Sequence, residues 1–450
     1  MNLQDLLPEL IIQICELLCQ HCAEDHIKWP RHEWWPDESE PRILRHALLN
    51  LSLLCKSWGA IAQKVLHHNF GFLDQDPVAQ VLFCRTISEN PELAKQLKHA
   101  KLYHIETAFD KALAQSWITD VLKKFSTFLT LDTETSRWEE FIAPLILLQV
   151  PNLKHLVAEG TGDWMLFEKF NIQAVIREHA LPRHIQALNI GKIFSKHDET
   201  LYPVGLSNHG FAGILPAFDD LRHIAIWHPG REPIQHPLAF QNIRTLCFGN
   251  ASLSRRQLHS LVSATGPLED FVYGGRTYHP DAVSGEEVFE ILALRKDTLK
   301  AAKVVTHKTT KCFAAASQLT NLEILTLEYD TFWQPSPGNT QLDDQALVGA
   351  FPASLEGIQI SVFHEHLEGM REALINYILS TCAESREEQK LKSVILFIYG
   401  KAEDPQTPDA DSLDAIVKYH GGFSKKTCQK FLKNKGRIRL ISEIRHLTAI

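Results

Sequence analysis

Apolar positions along this chain follow two rhythms. In the first 66 residues they recur three and four apart: Leu10, Ile11, Ile14, Leu17 and Leu18, then Leu48, Leu49, Leu51, Leu53 and Leu54, and, past Cys55-Lys56-Ser57-Trp58, Ile61, Ala62, Val65 and Leu66. This spacing predicts short amphipathic helices. Pro8 fits the first turn of the first helix, where an N–H would have no helical partner. From Leu97 onward the pattern becomes apolar, two residues, apolar, one residue, apolar. Its clearest copy is Leu322-Leu325-Leu327, with Leu319 three places earlier. Other copies are Leu153-Leu156-Ala158, Ile185-Leu188-Ile190, Leu221-Ile224-Ile226, Ile243-Leu246-Phe248, Leu355-Ile358-Ile360 and Leu391-Val394-Leu396, with weaker ones at Leu97-Ala100-Leu102, Leu268-Phe271-Tyr273 and Leu299-Ala302-Val304. The closing alternation predicts a short strand whose side chains point in and out in turn.

From Leu153 on, first positions of successive copies lie 32, 36, 22, 25, 31, 23, 33 and 36 residues apart, room for one strand and one returning helix or loop each time. Ser254 with Gln257, and Ser284 with Glu287, have capping-box spacing, and Leu258, Leu261 and Val262 extend the first as an apolar face. Strand then helix, repeated, predicts an α/β solenoid with a parallel strand per repeat. The pattern resembles leucine-rich repeats. It departs from that family in lacking the asparagine that usually follows the strand, so the repeats are degenerate, and an irregular α/β domain is the alternative.

Composition narrows the setting. Of 450 residues, 44% are hydrophobic and 22% charged, ordinary globular usage that disfavours wholesale disorder. A formal charge of −8 argues against binding a phosphate backbone as the main role. The start, MNLQDLLPEL, has no basic segment ahead of an apolar run, and no stretch approaches the roughly 18 apolar residues of a membrane span. The expectation is a cytoplasmic or nuclear protein with neither nucleic acid nor membrane as partner. Nine scattered cysteines fit reduced thiols better than a disulfide framework.

Leu7-Pro8-Glu9-Leu10, the helical step Ile14 to Leu18, and the later Leu54-Cys55-Lys56-Ser57-Trp58 resemble, in order, the F-box motif. F-box helices dock on the Skp adaptor of cullin-RING ubiquitin ligases. The resemblance covers about residues 3–70 and implies adaptor contacts at Leu7, Pro8, Leu10, Ile14, Leu18, Leu51, Cys55 and Trp58, some of which also serve the core. Pro8 and Trp58 lie 50 positions apart, longer than an ordinary F-box, so about 22–46 looks inserted. That insertion carries Trp29, Trp34, Trp35, Pro30, Pro36 and Pro41 and has no periodic apolar face. The expected organisation is an F-box over 1–70, a repeat solenoid over 71–400 and a charged C-terminal segment over 401–450.

With this register, outward strand residues form a concave wall: Lys101, Tyr103, Glu159, His223, Trp227, Lys303, Glu328, Gln359 and Phe397. Concave walls of solenoids bind partners. The set contains no clustered Arg of the kind that reads phosphate, which favours an unmodified protein substrate with Trp227 as aromatic anchor. The functional expectation is the substrate-recognition subunit of a Skp–cullin–RING ligase, without catalytic residues or cofactors of its own. The alternative is a repeat scaffold whose F-box-like bundle merely caps the solenoid.

Other constellations are weaker. Cys15, Cys19, Cys22, His21 and His26 crowd together, but Cys15 and Cys19 are four apart on a helix face shared with leucines, the pattern of buried free thiols, and no metal is expected. No G-x-S-x-G elbow, Walker A loop, H-E-x-x-H helix or dinucleotide fingerprint occurs. Glu403 to Asp414 reads as an acidic loop, and Lys425 to Arg439, with seven basic residues and no acidic one, as a solvated helix face or terminal cap.

Overall fold

The computed structural model describes residues 6–19, 22, 39–71, 76–105, 117–130, 137–159, 166–191, 209–229, 238–275, 282–306, 315–328, 331, 351–363, 393–399 and 439–444. The chain divides into two compact units, Met1–Trp227 with Ile234–Ala239, and His228–Pro233 with Phe240–Ile450.

Among the described residues the first unit opens with the helices α1 (Pro8–Leu17), α2 (Ser39–Ser52) and α3 (Lys56–Leu66). Along α3, Trp58, Ala62 and Val65 fall four and three apart, so they share one face. That face packs with Ile11, Cys15, Cys19 and Leu48 into a buried core. Trp58 fills its centre at 1% exposure, and truncating such a side chain to alanine costs about 3–5 kcal/mol. Gly59 lets the helices meet, since a Cβ there would lie 2.8 Å from the Ser52 carbonyl oxygen at the end of α2. The helix α2 begins inside the expected insertion, whose Trp29, Trp34 and Trp35 lie outside the described residues.

Five parallel strands follow in chain order: β1 (Asn69–Phe70), β2 (His99–Tyr103), β3 (His155–Glu159), β4 (Ala187–Ile190) and β5 (His223–Trp227). Between them run α4 (Pro77–Glu89), α5 (Pro91–Ala94), α6 (Trp117–Phe125), α7 (Ile142–Leu147), α8 (Ile172–Glu178) and α9 (His209–Ile214). Ala100, Leu156, Leu188 and Ile224 stand in one buried cross-strand row. Strand β1 is too short to cover the end of β2. There Gln80 of α4 stands in for a strand: its Oε1 accepts the Tyr103 N–H at 2.8 Å and its Nε2 donates to the Tyr103 carbonyl at 3.0 Å.

The second unit holds β6 (Thr245–Ala251), β7 (Asp270–Gly275), β8 (Ala301–Val305), β9 (Ile324–Glu328), β10 (Gly357–Phe363), β11 (Ser393–Tyr399) and β12 (Arg439–Ile444), again parallel and in order. Its inward rows are Leu246, Phe271, Ala302, Leu325 and Ile358, and Phe248, Tyr273, Val304, Leu327 and Ile360, all buried. Both expected capping boxes form, at α10 (Arg255–Ala264) and α11 (Gly285–Leu292). Just past α11, the Arg295 guanidinium donates to the carbonyls of Val262, at 3.2 Å, and Ser263, at 2.8 Å, adding to the Thr265 N–H and hydroxyl that also donate to the Val262 carbonyl at the C-terminal end of α10.

Strands β2 to β11 coincide with the ten apolar motifs of the sequence. Successive strands are also tied by a recurring pair of bonds. The carbonyl just before one strand accepts two consecutive N–H groups at the start of the next: His68 from Lys98 and His99, Lys98 from Lys154 and His155, Lys154 from Gln186 and Ala187, Gln186 from Arg222 and His223. In the second unit Arg244, Glu269, Lys300 and Glu323 repeat the arrangement. The sheet passes the expected boundary at residue 400, because β12 pairs with β11. Residues 401–438, with the acidic loop and nearly all of the basic run, lie outside the described residues.

This register makes a test with one chemistry at two positions. Leu325→Asp places a carboxylate in the inward row and should lower stability by at least about 4 kcal/mol, whereas Val272→Asp, at a half-exposed outward position, should cost about 1 kcal/mol, read as urea midpoints. A second test concerns Tyr273, whose hydroxyl is buried without a partner among the described residues. Burial, then the nearby Glu287 carboxylate, raise its pKa. Tyr273→Phe removes that desolvated hydroxyl and should stabilise the protein by about 1 kcal/mol in the same measurement.

Candidate protein-docking surface

Helix α1 carries more apolar side chains than one core can take. Ile11 and Cys15 are buried, with Ile14 and Leu18 packed against them. Leu7, Leu10 and Leu17, spaced three and seven apart, make a second stripe, and Leu7 and Leu17 are 64% and 74% exposed. The same excess recurs nearby: Ile43 and Leu49 of α2, and Leu53 and Leu54 in the turn that follows, are exposed while Leu48 is buried. Eight of the ten large exposed hydrophobics among the described residues fall between Leu7 and Leu54. Scattered exposed leucines are ordinary, but concentration in one small bundle makes a candidate docking surface, where covering a fully exposed leucine contributes roughly 1.5–3 kcal/mol and a half-exposed one about half of that.

Cys55 precedes α3 as its N-cap, with Sγ 3.1 Å from the Ser57 hydroxyl. The Ser57 hydroxyl first, then the Trp58 backbone N–H, lower its pKa, which makes this partly exposed thiol more reactive than an ordinary one. The F-box-derived residues divide accordingly. Leu7, Pro8 and Leu10 are exposed; Ile14, Leu18, Leu51 and Cys55 are half-buried. Trp58 is a correction: it belongs to the core and is not available to a partner, because it shares the apolar face of α3 with Ala62 and Val65. The apolar pattern of the sequence includes Leu17, Leu49, Leu53 and Leu54 but assigns them to helix core faces, and it omits Ile43; all five are exposed, and an apolar count exceeding one helix stripe is the signal that separates them.

The expected wall also needs correcting. In the first unit, Lys101 Nζ lies 3.0 Å from Glu159 Oε1 and 5.3 Å from the Tyr103 ring centroid, while the Tyr103 hydroxyl donates to the Gly71 carbonyl. These side chains engage one another. Glu159 and Trp227 are 4% and 7% exposed, so neither belongs to an open wall, and Trp227 is no exposed anchor. Trp227 is crowded by Gly191, where an added Cβ would meet the Trp227 carbonyl oxygen at 2.6 Å. His223 is half-buried. In the second unit Lys303, Glu328 and Gln359 are half-exposed on the outward side of their strands, and the backbone of Phe397 lies in β11, its side chain outside the described residues. An open groove beside the starts of these strands is lined by Glu269, Lys300, Glu323 and Glu356. Glu269 there is neutralised by Arg244 at 3.0 Å and Lys300 at 3.2 Å.

Of the cysteine cluster, Cys15 sits in the bundle core, its pKa raised by burial and then by Glu16. Cys19 and Cys22 converge instead on a residue far away in sequence, with Sγ atoms 3.8 and 3.5 Å from His68 Nδ1. His21 and His26 lie outside the described residues. Among the described residues, no helix is long and apolar enough to cross a membrane. No family model and no curated protein matches the chain.

The thiols of this surface and of the repeats should separate in reactivity. Burial pushes the Cys84 thiol up to about 12 and raises that of Cys247 well above its ordinary value. At pH 8, iodoacetamide should therefore alkylate Cys55 in the folded chain, while Cys84 and Cys247 react only after denaturation; peptide mass spectrometry reads the order.

Proposed function

We propose that this chain is the substrate-recognition subunit of a Skp–cullin–RING ubiquitin ligase, its N-terminal bundle docking on the Skp adaptor and its repeats binding a protein substrate. The observation that carries the reading is the set of leucines left in water on α1, α2 and the turn after α2, in a bundle whose sequence resembles an F-box. A bundle serving only to cap a repeat array would turn its spare apolar surface onto that array. Exposure of Leu7, Leu17 and Leu53 therefore favours adaptor docking over the cap.

On this reading the chain performs no bond chemistry. It raises the effective concentration of a substrate near the ligase's reacting groups, and rate follows from proximity and orientation. The substrate surface falls on the half-exposed outward side chains of the second unit, Lys303, Glu328 and Gln359, rather than on the buried Glu159 and Trp227.

Leu10→Glu combined with Leu53→Glu tests the reading on the full chain, since both side chains are exposed and neither change should alter the melting temperature by more than a degree or two. Affinity for purified Skp adaptor should fall about 100-fold or more, because two leucines together contribute roughly 3 kcal/mol or more. Failure of the unaltered chain to bind the adaptor sinks the assignment; equal binding by the variant moves the contact away from this surface.

A further inference from the structure

Cys19, Cys22 and His68 place three metal-binding atoms within 4.8 Å of one another. Cys19 and Cys22 form a C-x-x-C pair just past the end of α1, and His68 follows α3, 49 and 46 positions later. A tetrahedral zinc ion, about 2.3 Å from sulfur and about 2.0 Å from nitrogen, requires S···N edges of about 3.5 Å and an S···S edge of about 3.8 Å. The Cys22 Sγ to His68 Nδ1 separation of 3.5 Å equals that S···N edge, the Cys19 separation of 3.8 Å is slightly longer, and all three atoms lie within 4.8 Å of one another, so small side-chain shifts bring them to the ideal tetrahedron.

The surroundings suit a cation. Cys19 is buried while Cys22 and His68 are half-buried, so an ion has a path in from solvent. Asn69 Nδ2 points at Cys19 Sγ from 3.6 Å, the outer-shell N–H···S contact that steadies a ligating thiolate. The site adjoins the C-terminal end of α1, whose terminal carbonyls favour positive charge. The carbonyl of His68 is also held, accepting the N–H groups of Lys98 and His99, both at 2.9 Å. Its imidazole is therefore carried on fixed backbone.

We propose that Cys19, Cys22 and His68 bind a zinc ion. Both thiols give up their protons on binding and the neutral imidazole donates through Nδ1, with the fourth corner of the tetrahedron taken by water or by a donor beyond these three. The ion clips the end of α1 to the chain entering β1. It closes a long loop that includes the segment between α1 and α2, and so joins the helical bundle to the first strand of the sheet. On this proposal Cys19 is more than the buried thiol expected from its helix spacing.

The test uses the full chain, purified with reductant and without chelator. Elemental analysis should find about one zinc per chain. After zinc is removed, Co(II) should restore the stoichiometry and give the intense sulfur-to-cobalt charge-transfer band and tetrahedral ligand-field bands of a two-thiolate site. Cys22→Ser and His68→Ala should weaken Co(II) binding by more than the 10- to 100-fold typical of outer-shell changes, Asn69→Ala should fall within about that range, and Cys55→Ser should bind as the unaltered chain does. Three results would overturn the proposal: an unaltered chain that neither retains zinc nor develops the charge-transfer band, metal binding that persists undiminished in Cys22→Ser and His68→Ala, or a Cys19–Cys22 disulfide in the isolated chain that accounts for both thiols. Because the spectrum is read first on the unaltered chain, poor folding of a variant does not decide the matter.

Discussion

The fold depends on a backbone bond pair that side chains do not supply. In each unit the carbonyl ahead of one strand receives two N–H groups from the start of the next, as Lys98 does from Lys154 and His155, or Lys300 from Glu323 and Ile324. Parallel strands cannot set their register through a tight hairpin, and a slip of one residue would turn every core leucine outward. Fixing the entry point of each strand prevents that slip at its origin. Ala100, Leu156, Leu188 and Ile224 then line up in one unit, and Phe271, Ala302, Leu325 and Ile358 in the other.

Much of this was legible because the apolar motif contains its own register. In Leu322-Leu325-Leu327 the last two leucines are two apart, which puts them on the same side of any strand, and β9 forms there. The capping boxes at Ser254 and Ser284 were legible for a similar reason, being local chemistry at fixed spacing. Strands β1 and β12 were not. The first is two residues long, and the second lies in a stretch dominated by charge, so periodicity had little to work with. Polar ties between neighbouring repeats were missed as well. Asn152, Thr298, Asn321 and Ser354 each stand just before a motif leucine and donate to a carbonyl of the preceding repeat, at 2.8 Å in all four cases. Asn152 and Asn321 stand before β3 and β9 rather than after them.

The candidate surfaces were harder to read, because sequence fixes which side of a strand a residue occupies but not what lies over that side. Lys101 and Glu159 do alternate with core residues, yet they pair with each other and Glu159 is almost fully covered. Trp58 shows the reverse difficulty: a residue marked by resemblance to a docking motif is the largest fully buried side chain among the described residues. The exposed leucines emerge by subtraction. Once Ile11, Cys15, Leu48, Trp58, Ala62 and Val65 have filled the bundle core, Leu7, Leu17 and Leu53 have no interior left to enter. Distance in the chain concealed His68 in the same way, since only the pairing of β1 with β2 and the packing of α1 on α3 bring it to the two cysteines.

Anchoring each strand at its first residues separates the length of the return from the geometry of the sheet. Between the starts of β7 and β8 the chain travels 31 residues, and between those of β8 and β9 only 23, yet the carbonyls of Glu269 and Lys300 receive the next strand in the same way. Insertions and deletions in the returns are therefore nearly silent for the core, and natural selection can lengthen, shorten or decorate one loop without retuning its neighbours. Descendants of such a chain can drift far apart in total length and in alignable sequence while the stack of strands inside them stays the same.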